Sequence, residues 1–360
     1  MSTPSSLHPA SRSRDLPPTI RPPGGLGAGP ANRVGGRGRA DRSVEAALWV
    51  LLVLGVGLVL APAAFGMFDR APKGGVMIDE FQPYMKQAKI DQFREYLVVI
   101  GDAVAEARAT VDPSAAAALG VDRAAYDERF TFVRSFEDAW PEIDADMTDM
   151  LDRMQRNLDG YEGVAALPPF ALFPWFFVLP GIIVAGGAGW ALVARRRGQA
   201  GRGGLVLLVV VGVGLVAAPL VFQMFTRAPG GGAMIDDFRP LMTREKVTTV
   251  QGYFITIGTG EGELRTGALP ASGLAPDAVP AVAQLNAEWP TINRELAPMV
   301  GVMADTLDNY AAVDALPPFP LFPWFFLIPG LAVAVTAAFL LHRTSTDTPK
   351  TSEEDPWPVQ

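Results

Sequence analysis

Four long apolar runs dominate the pattern of hydrophobic and polar positions along this 360-residue chain. None of them contains Asp, Glu, Lys, Arg or His. Each is close to the ~20 residues that a helix needs to cross ~30 Å of hydrocarbon. The pattern therefore predicts an all-α integral membrane protein with four transmembrane helices, over about residues 46–66, 173–194, 205–225 and 322–341.

The chain also carries the same sequence pattern twice. Ala166–Gly181 and Ala315–Gly330 are identical at 13 of 16 positions, and Met67–Met85 and Met224–Met242 at 13 of 19. The earlier blocks match at an offset of 157 residues (224 − 67) and the later blocks at 149 (315 − 166), so the second copy is eight residues shorter in its middle. We interpret the two copies as tandem parallel repeats, in which each copy leaves the membrane and returns to it.

Each repeat is predicted to consist of a span, an extracytoplasmic helical domain and a returning span. The predicted boundaries are a disordered tail at 1–43, repeat 1 at 44–194 with its outer domain at 67–170, a basic link at 195–204, repeat 2 at 205–341 with its outer domain at 226–319, and a disordered tail at 342–360.

The distribution of charge predicts the orientation, because short loops on the cytoplasmic side of a membrane are enriched in Lys and Arg. Residues 1–43 hold seven Arg and two Asp, and the link carries four Arg without an acid. Both termini are therefore predicted to be cytoplasmic. The outer segments are acidic, with 20 acidic against 11 basic residues in 66–167 and 11 against 6 in 223–316. This balance argues against nucleic-acid binding.

Residues that commonly begin or end helices predict the helices of the outer domains. The Arg-Ala-Pro segments at 70–72 and 227–229, with the glycines that follow them, are interpreted as turns that end the first span of each repeat. Asp79 and Asp236 are interpreted as N-caps of the next helices. Pro141 and Pro290 are interpreted as the first residues of the helices that follow. Each outer domain should then have an antiparallel helical core of its own, and the two domains should stand side by side.

Methionine is the most suggestive residue type. Ten of the twelve methionines form five matched pairs. Methionine suits adaptable apolar surfaces, so a lipid or partner surface is one interpretation, and core packing copied by duplication is the other. The candidate surface comprises Met85, Met150, Met154, Met242, Met299 and Met303.

Two further sets of residues are assigned to the membrane. Amphipathic and cationic side chains collect at the headgroup level, and small residues four apart allow close helix contact. The predicted interface anchors are Arg70, Trp175, Phe176, Phe177, Arg227, Trp324, Phe325 and Phe326. The predicted packing residues are Gly57, Ala61, Gly181, Ala185, Gly189, Gly214, Ala218, Gly330, Ala334 and Ala338.

Composition indicates few kinds of chemistry. The chain has no cysteine and two histidines, His8 and His342, so neither a cofactor, a metal site nor an enzymatic activity is predicted. The leading hypothesis is a non-enzymatic scaffold or interaction module for an envelope partner in the plasma membrane. The excess of Arg over Lys favours a bacterial source. The alternatives are a lipid-binding or transport-associated accessory protein with a Met-lined groove, and a membrane sensor. Oligomeric state stays open.

Overall fold

The computed structural model describes residues 34–199 and 201–346, and that part of the chain contains helices and no strand. Residues up to Val44 form a unit of their own, of which only the beginning of the first helix is described. The α-helices are α1 (Val34–Ala64), α2 (Met67–Phe81), α3 (Gln87–Glu106), α4 (Asp112–Leu119), α5 (Arg123–Arg129), α6 (Thr131–Arg156), α7 (Leu158–Ala165), α8 (Trp175–Arg196), α9 (Arg202–Val221), α10 (Met224–Phe238), α11 (Arg244–Glu263), α12 (Leu269–Ser272), α13 (Pro280–Asp305), α14 (Leu307–Asp314) and α15 (Phe322–Thr346).

Four stretches are long and apolar enough to cross a membrane: Arg42–Ala64, Phe170–Arg196, Arg202–Val221 and Phe319–Thr344. They carry large exposed apolar side chains, including Val53, Ile182, Val210 and Val335. Contiguous apolar surface of this kind is unusual on a soluble protein and is typical of contact with lipid. The four predicted spans therefore correspond to four helices that are compatible with a membrane protein.

Both predicted tails are partly helical. Residues 34–43 belong to α1, and residues 342–346 belong to α15, so these parts of the tail predictions are wrong. The remaining tail residues, 1–33 and 347–360, lie outside the described residues. A helix that is already stabilised by a long apolar run extends readily into polar flanks, because each added residue gains one hydrogen bond.

Corresponding helices of the two halves have matching lengths. Helices α2 and α10 have 15 residues, α3 and α11 have 20, α6 and α13 have 26, and α7 and α14 have 8. A five-residue π-helix follows α3 at Ala107–Val111, and another follows α11 at Leu264–Ala268.

The helices between the spans form one domain with a shared core, and not two domains side by side. Helix α3 packs against α6 of its own half and α13 of the other, and α11 packs against the same two helices. Likewise α2 lies on α14, and α10 lies on α7. A single buried cluster contains residues of both halves, among them Phe93, Ile143, Val250 and Leu296. The prediction of separate helical cores is therefore wrong, because each half completes its core with helices of the other.

Polar contacts across the two halves come in matched pairs. The ammonium group of Lys89 pairs with Glu295, and that of Lys246 pairs with Asp146. The Glu106 carboxylate accepts the backbone N–H of Val282 at 2.8 Å. In the other direction, Glu263 accepts the N–H groups of Phe132 and Val133 at 2.7 and 2.8 Å. Each carboxylate caps the first turn of a helix that belongs to the opposite half.

These caps explain why the predicted helix starts are wrong. Helix α6 begins at Thr131 and passes through Pro141, and α13 begins at Pro280 and passes through Pro290. The cap that defines each start comes from a residue more than 100 positions away, so no local signal marks it. A proline inside the helix removes one backbone hydrogen bond, which buried packing on both sides can offset.

The Arg-Ala-Pro segments and the glycines that follow them lie inside α2 and α10 and are not turns. Asp79 and Asp236 stand in the last turns of these helices, so neither is an N-cap. The glycines serve close packing. A Cβ at Gly74 would lie 3.2 Å from the Phe170 ring, and a Cβ at Gly231 would lie 2.7 Å from Val164.

Glycine also closes the contacts between spans, and on α1 and α9 it does so at positions other than those predicted, against the predicted residues Ala185 and Ala334. A Cβ at Gly55 would lie 2.5 Å from the backbone N of Ala185, and one at Gly212 would lie 2.5 Å from that of Ala334. The predicted Gly57 and Gly214 are exposed and have no atom within 4 Å of a Cβ. On each helix the two glycines are two positions apart and therefore lie on different faces. The rotation of the helix about its axis decides which glycine meets the neighbouring span.

The remaining packing residues divide between contact and exposure. Gly181 and Gly330 lie against α1 and α9, with the backbone O of Gly55 and of Gly212 at 2.8 and 3.0 Å from a Cβ. A Cβ at Gly189 would make only ordinary contact, 3.9 Å from Leu52. Ala338 is exposed, so its assignment is wrong. Ala61 and Ala218 are half-buried.

The substitution Gly212→Val should destabilise the protein, because the new side chain must displace the backbone of α15. Overpacking of this kind costs about 1–3 kcal/mol. Gly214→Val is the matched control, since the same side chain there meets open space. Thermal unfolding in detergent should show a lower midpoint for Gly212→Val alone. Equal midpoints for the two variants would contradict the contact.

Candidate functional site

A cavity lies in the shared core where the two halves meet, and its volume is about 70 Å³. Its lining consists of seven pairs of residues that match between the halves at the offsets of 157 or 149. The pairs are Met77 and Met234, Ile78 and Ile235, Phe81 and Phe238, Met85 and Met242, Met150 and Met299, Met154 and Met303, and Tyr161 and Tyr310.

The six candidate methionines all line this cavity. They are nearly inaccessible to solvent, with exposed fractions between 1% for Met299 and 9% for Met242. They therefore do not form an open surface, and core packing accounts for their positions. Their side chains are nevertheless flexible and polarisable, so a cavity that they line can change shape to fit an apolar ligand.

The polar groups of the cavity wall are already engaged. The hydroxyl of Tyr161 donates to the carbonyl of Ile78, and that of Tyr310 donates to the carbonyl of Ile235. Burial raises the pKa of Tyr161 to about 12, with a smaller contribution from Asp79, so the phenol stays neutral. Thioethers, aromatic rings and aliphatic groups are left to meet a ligand, and such a lining suits an apolar one.

A second, smaller cavity of about 20 Å³ lies closer to the spans. Five matched pairs line it: Met67 and Met224, Ala71 and Ala228, Leu167 and Leu316, Phe170 and Phe319, and Phe173 and Phe322. The ten paired methionines therefore all face one of two cavities where matched residues of the halves meet. The sequence indicated the pairs but not their convergence.

The predicted anchors Arg70 and Arg227 reach across to the opposite half. An Nη1 group of Arg70 donates to the carbonyl of Ala315 at 2.9 Å, and that of Arg227 donates to the carbonyl of Ala166 at 3.3 Å. These carbonyls belong to the residues that follow α14 and α7, where the last carbonyls of a helix lack intrahelical partners. Both arginines thus satisfy helix C-termini as well as standing near the ends of spans.

The aromatic anchors face in different directions. Trp175 and Trp324 are each 47% exposed and pack edge-on against Phe68 and Phe225. Phe176 and Phe325 are half-buried. Phe177 and Phe326 are buried and pack against each other with tilted rings, whose centroids are 4.6 Å apart. The interface assignment of this last pair is therefore wrong, because their helix face points into the bundle.

Sequence reasoning missed a buried polar cluster in the first half. The hydroxyl of Tyr126 donates to Asp112 at 2.6 Å, and Arg123 donates to the other Asp112 oxygen at 2.7 Å. Glu137 lies beside this carboxylate, with Arg108 at 3.5 Å. The matching positions in the second half are Leu269 and Asn286, so no repeated motif marked the cluster.

The carboxyl group of Glu137 is kept neutral by its surroundings. Burial raises its pKa to about 8, and the nearby Asp112 charge adds to this, while Arg108 and Arg123 oppose it. Because the folded-state pKa exceeds the unfolded value, the folded chain binds more protons, and stability falls as pH rises from about 4.5 to about 8.

Compared with protein-family models and with curated proteins, the chain matches none.

Replacing Glu137 with Gln should remove the loss of stability that accompanies rising pH, since an amide cannot ionise. The midpoint of thermal unfolding of the variant, relative to the unaltered protein, should rise between pH 5 and pH 8 and then level off. Each unit of pKa difference corresponds to about 1.4 kcal/mol. Glu128→Gln, at an exposed position on α5, is the control and should show no such trend. A constant difference for Glu137→Gln would refute the buried neutral acid.

Proposed function

We propose that this chain is a non-enzymatic multi-pass membrane protein whose helical domain binds an apolar ligand, an acyl chain or similar lipophilic molecule, in the methionine-lined cavity. The single observation that carries the proposal is the convergence of seven matched residue pairs on that one apolar space.

The size of the cavity suggests how binding would occur. About 70 Å³ is well below the ~300 Å³ at which most ligand pockets begin, so the ligand must widen the cavity. Eight of the fourteen lining residues are methionines, whose unbranched side chains change rotamer more readily than branched ones. A rigid core of Leu and Ile would resist the same expansion.

We further propose that the halves are tandem parallel repeats related by an axis along the membrane normal. Equal helix lengths and the paired cross-half contacts support this. The arginines of residues 1–43 and of the link at 195–204 favour a cytoplasmic position for both segments. This supports an extracytoplasmic helical domain with both termini inside the cell. The plasma membrane of a bacterium is the proposed location.

A scaffold role is the second candidate, and one observation favours it. The matched residues Val98 and Ile255 are 59% and 69% exposed on α3 and α11. Single exposed apolar residues are common on soluble surfaces, but these two are equivalent in the repeat and would offer an envelope partner two matched contacts. Sensing has no comparable support among the described residues.

Filling the methionine-lined cavity should weaken ligand binding. The double variant Met154→Phe and Met303→Phe puts rigid rings where two flexible side chains now stand. With a fluorescent long-chain fatty acid as the probe, we expect at least tenfold weaker binding, equivalent to about 1.4 kcal/mol. Met147→Phe is the control, because Met147 is equally buried but does not line the cavity. Unchanged binding in the double variant would disprove this site.

The orientation can be tested because the chain has no cysteine. Ala124→Cys and Asp277→Cys lie at exposed positions of the helical domain, and Gln199→Cys lies in the exposed link. An impermeant maleimide should label the first two variants in intact cells and the third only after lysis. Labelling of Gln199→Cys from outside would reverse the proposed orientation.

A further inference from the structure

A third cavity, of about 350 Å³, lies at the level of the spans, between the first and the last of them. Its lining is entirely apolar and includes Val53, Gly57 and Ala61 on α1, and Phe322, Phe325 and Pro329 on α15. The volume falls in the range of pockets that hold small molecules.

We call the line of contact between two neighbouring spans a seam. The third cavity exists because the seam between α1 and α15 is not closed by small residues. The seams between α1 and α8 and between α9 and α15 are closed, since Gly55 and Gly212 lie directly on backbone atoms. Gly57 faces the third cavity and has no atom within 4 Å of a Cβ. Val53, on the same wall, is 64% exposed, so the space opens towards the surroundings of the spans.

The matching seam on the other side is filled. Helices α8 and α9 are joined by a short link, and a Cβ at Gly187 of α8 would lie 3.1 Å from Leu208 of α9. Phe176 and Phe222, which match Phe325 and Phe65 of the cavity wall, pack ring against ring at 6.2 Å. Helices α1 and α15 have no such link and can stand apart.

The guanidinium group of Arg70 lies at one end of the cavity. Arg70 donates from Nη1 to the carbonyls of Phe65, at 3.2 Å, and Ala315, at 2.9 Å. Phe65 lines the cavity, and so does Pro317, two residues beyond Ala315. Among the described residues, no carboxylate lies within ion-pair distance of Arg70, while the adjacent Asp69 pairs with Lys73.

Arg70 also lies at the level expected of lipid headgroups. Helix α1 ends at Ala64, and the exposed Trp175 packs against Phe68, close to Arg70 in the chain. Tryptophan and arginine are both favoured where a span meets the headgroup region.

We propose that the third cavity binds one acyl chain of an anionic phospholipid, whose phosphate is bound by Arg70. The apolar wall accommodates the chain, and the guanidinium group supplies charge-assisted hydrogen bonds to phosphate oxygens. This site is separate from the methionine-lined cavity. Met67 and Phe322 line both the third cavity and the small cavity, so the end of the bound chain that is nearer to the headgroup lies beside the small cavity.

The test measures phospholipid that stays bound to the full chain after extraction from nanodiscs of phosphatidylglycerol and phosphatidylcholine, by native mass spectrometry. Gly57→Leu should fill the cavity without a clash, and bound phosphatidylglycerol should fall at least fivefold. Gly214→Leu is the matched control, because Gly214 is also exposed, has no atom within 4 Å of a Cβ and does not line the cavity. Equal retention in the two variants would overturn the site.

The headgroup contact has its own pair of variants. Both lipids carry a phosphate, but the trimethylammonium group of phosphatidylcholine offsets its charge, so an arginine without a carboxylate partner favours phosphatidylglycerol. Arg70→Gln should remove this preference, and Arg227→Gln should keep it. Inorganic phosphate and glycerol 3-phosphate at millimolar concentration should not displace the lipid; displacement would mean that the site takes free phosphate instead. Fatty-acid binding in the methionine-lined cavity should be unchanged in Gly57→Leu, so failure of either site is distinguishable from failure of the other.

Discussion

The structure depends on one constraint: neither half of the chain can bury its apolar helix faces alone. In each half, α3 and α6, or α11 and α13, provide only part of a core, and each long helix also lies against a helix from the other half. Burying apolar surface is the main favourable term in folding, so this exchange of partners holds the domain together. The exchange extends towards the spans, because α2, which follows α1, lies on α14, and α10, which follows α9, lies on α7.

Methionine suits the place where two equivalent halves meet. Matched side chains face each other there, and two identical rigid side chains would clash or leave a gap unless their shapes were self-complementary. Unbranched methionines can adjust to one another, which explains why ten of them line the two cavities between the halves. The same adaptability leaves room for a ligand.

The two halves differ where the constraint is weaker. Near the spans, glycines lie so close to aromatic rings that a Cβ at Gly74 would be 3.2 Å from Phe170 and one at the matched Gly231 would be 3.5 Å from Phe319. At the far end, the first half has the buried Asp112 and Glu137, whereas the second has Leu269 and Asn286 at these positions. The seam between α1 and α15 is another difference, because these two helices are not joined by a link. Asymmetry thus arises where the chain can vary without disturbing the shared core.

The four long apolar helices and the two matched sequence blocks with their paired methionines are evident from the sequence, because run length and identity are properties of the linear chain. Which helices exchange partners could not, and it was the tertiary structure that selected Gly55 and Gly212 over Gly57 and Gly214. The same holds for the starts of α6 and α13, which are capped by Glu263 and Glu106 of the opposite half. A local pattern determines that a helix forms and which of its faces are apolar. What each face meets depends on residues more than a hundred positions away, and only the folded chain brings those residues together.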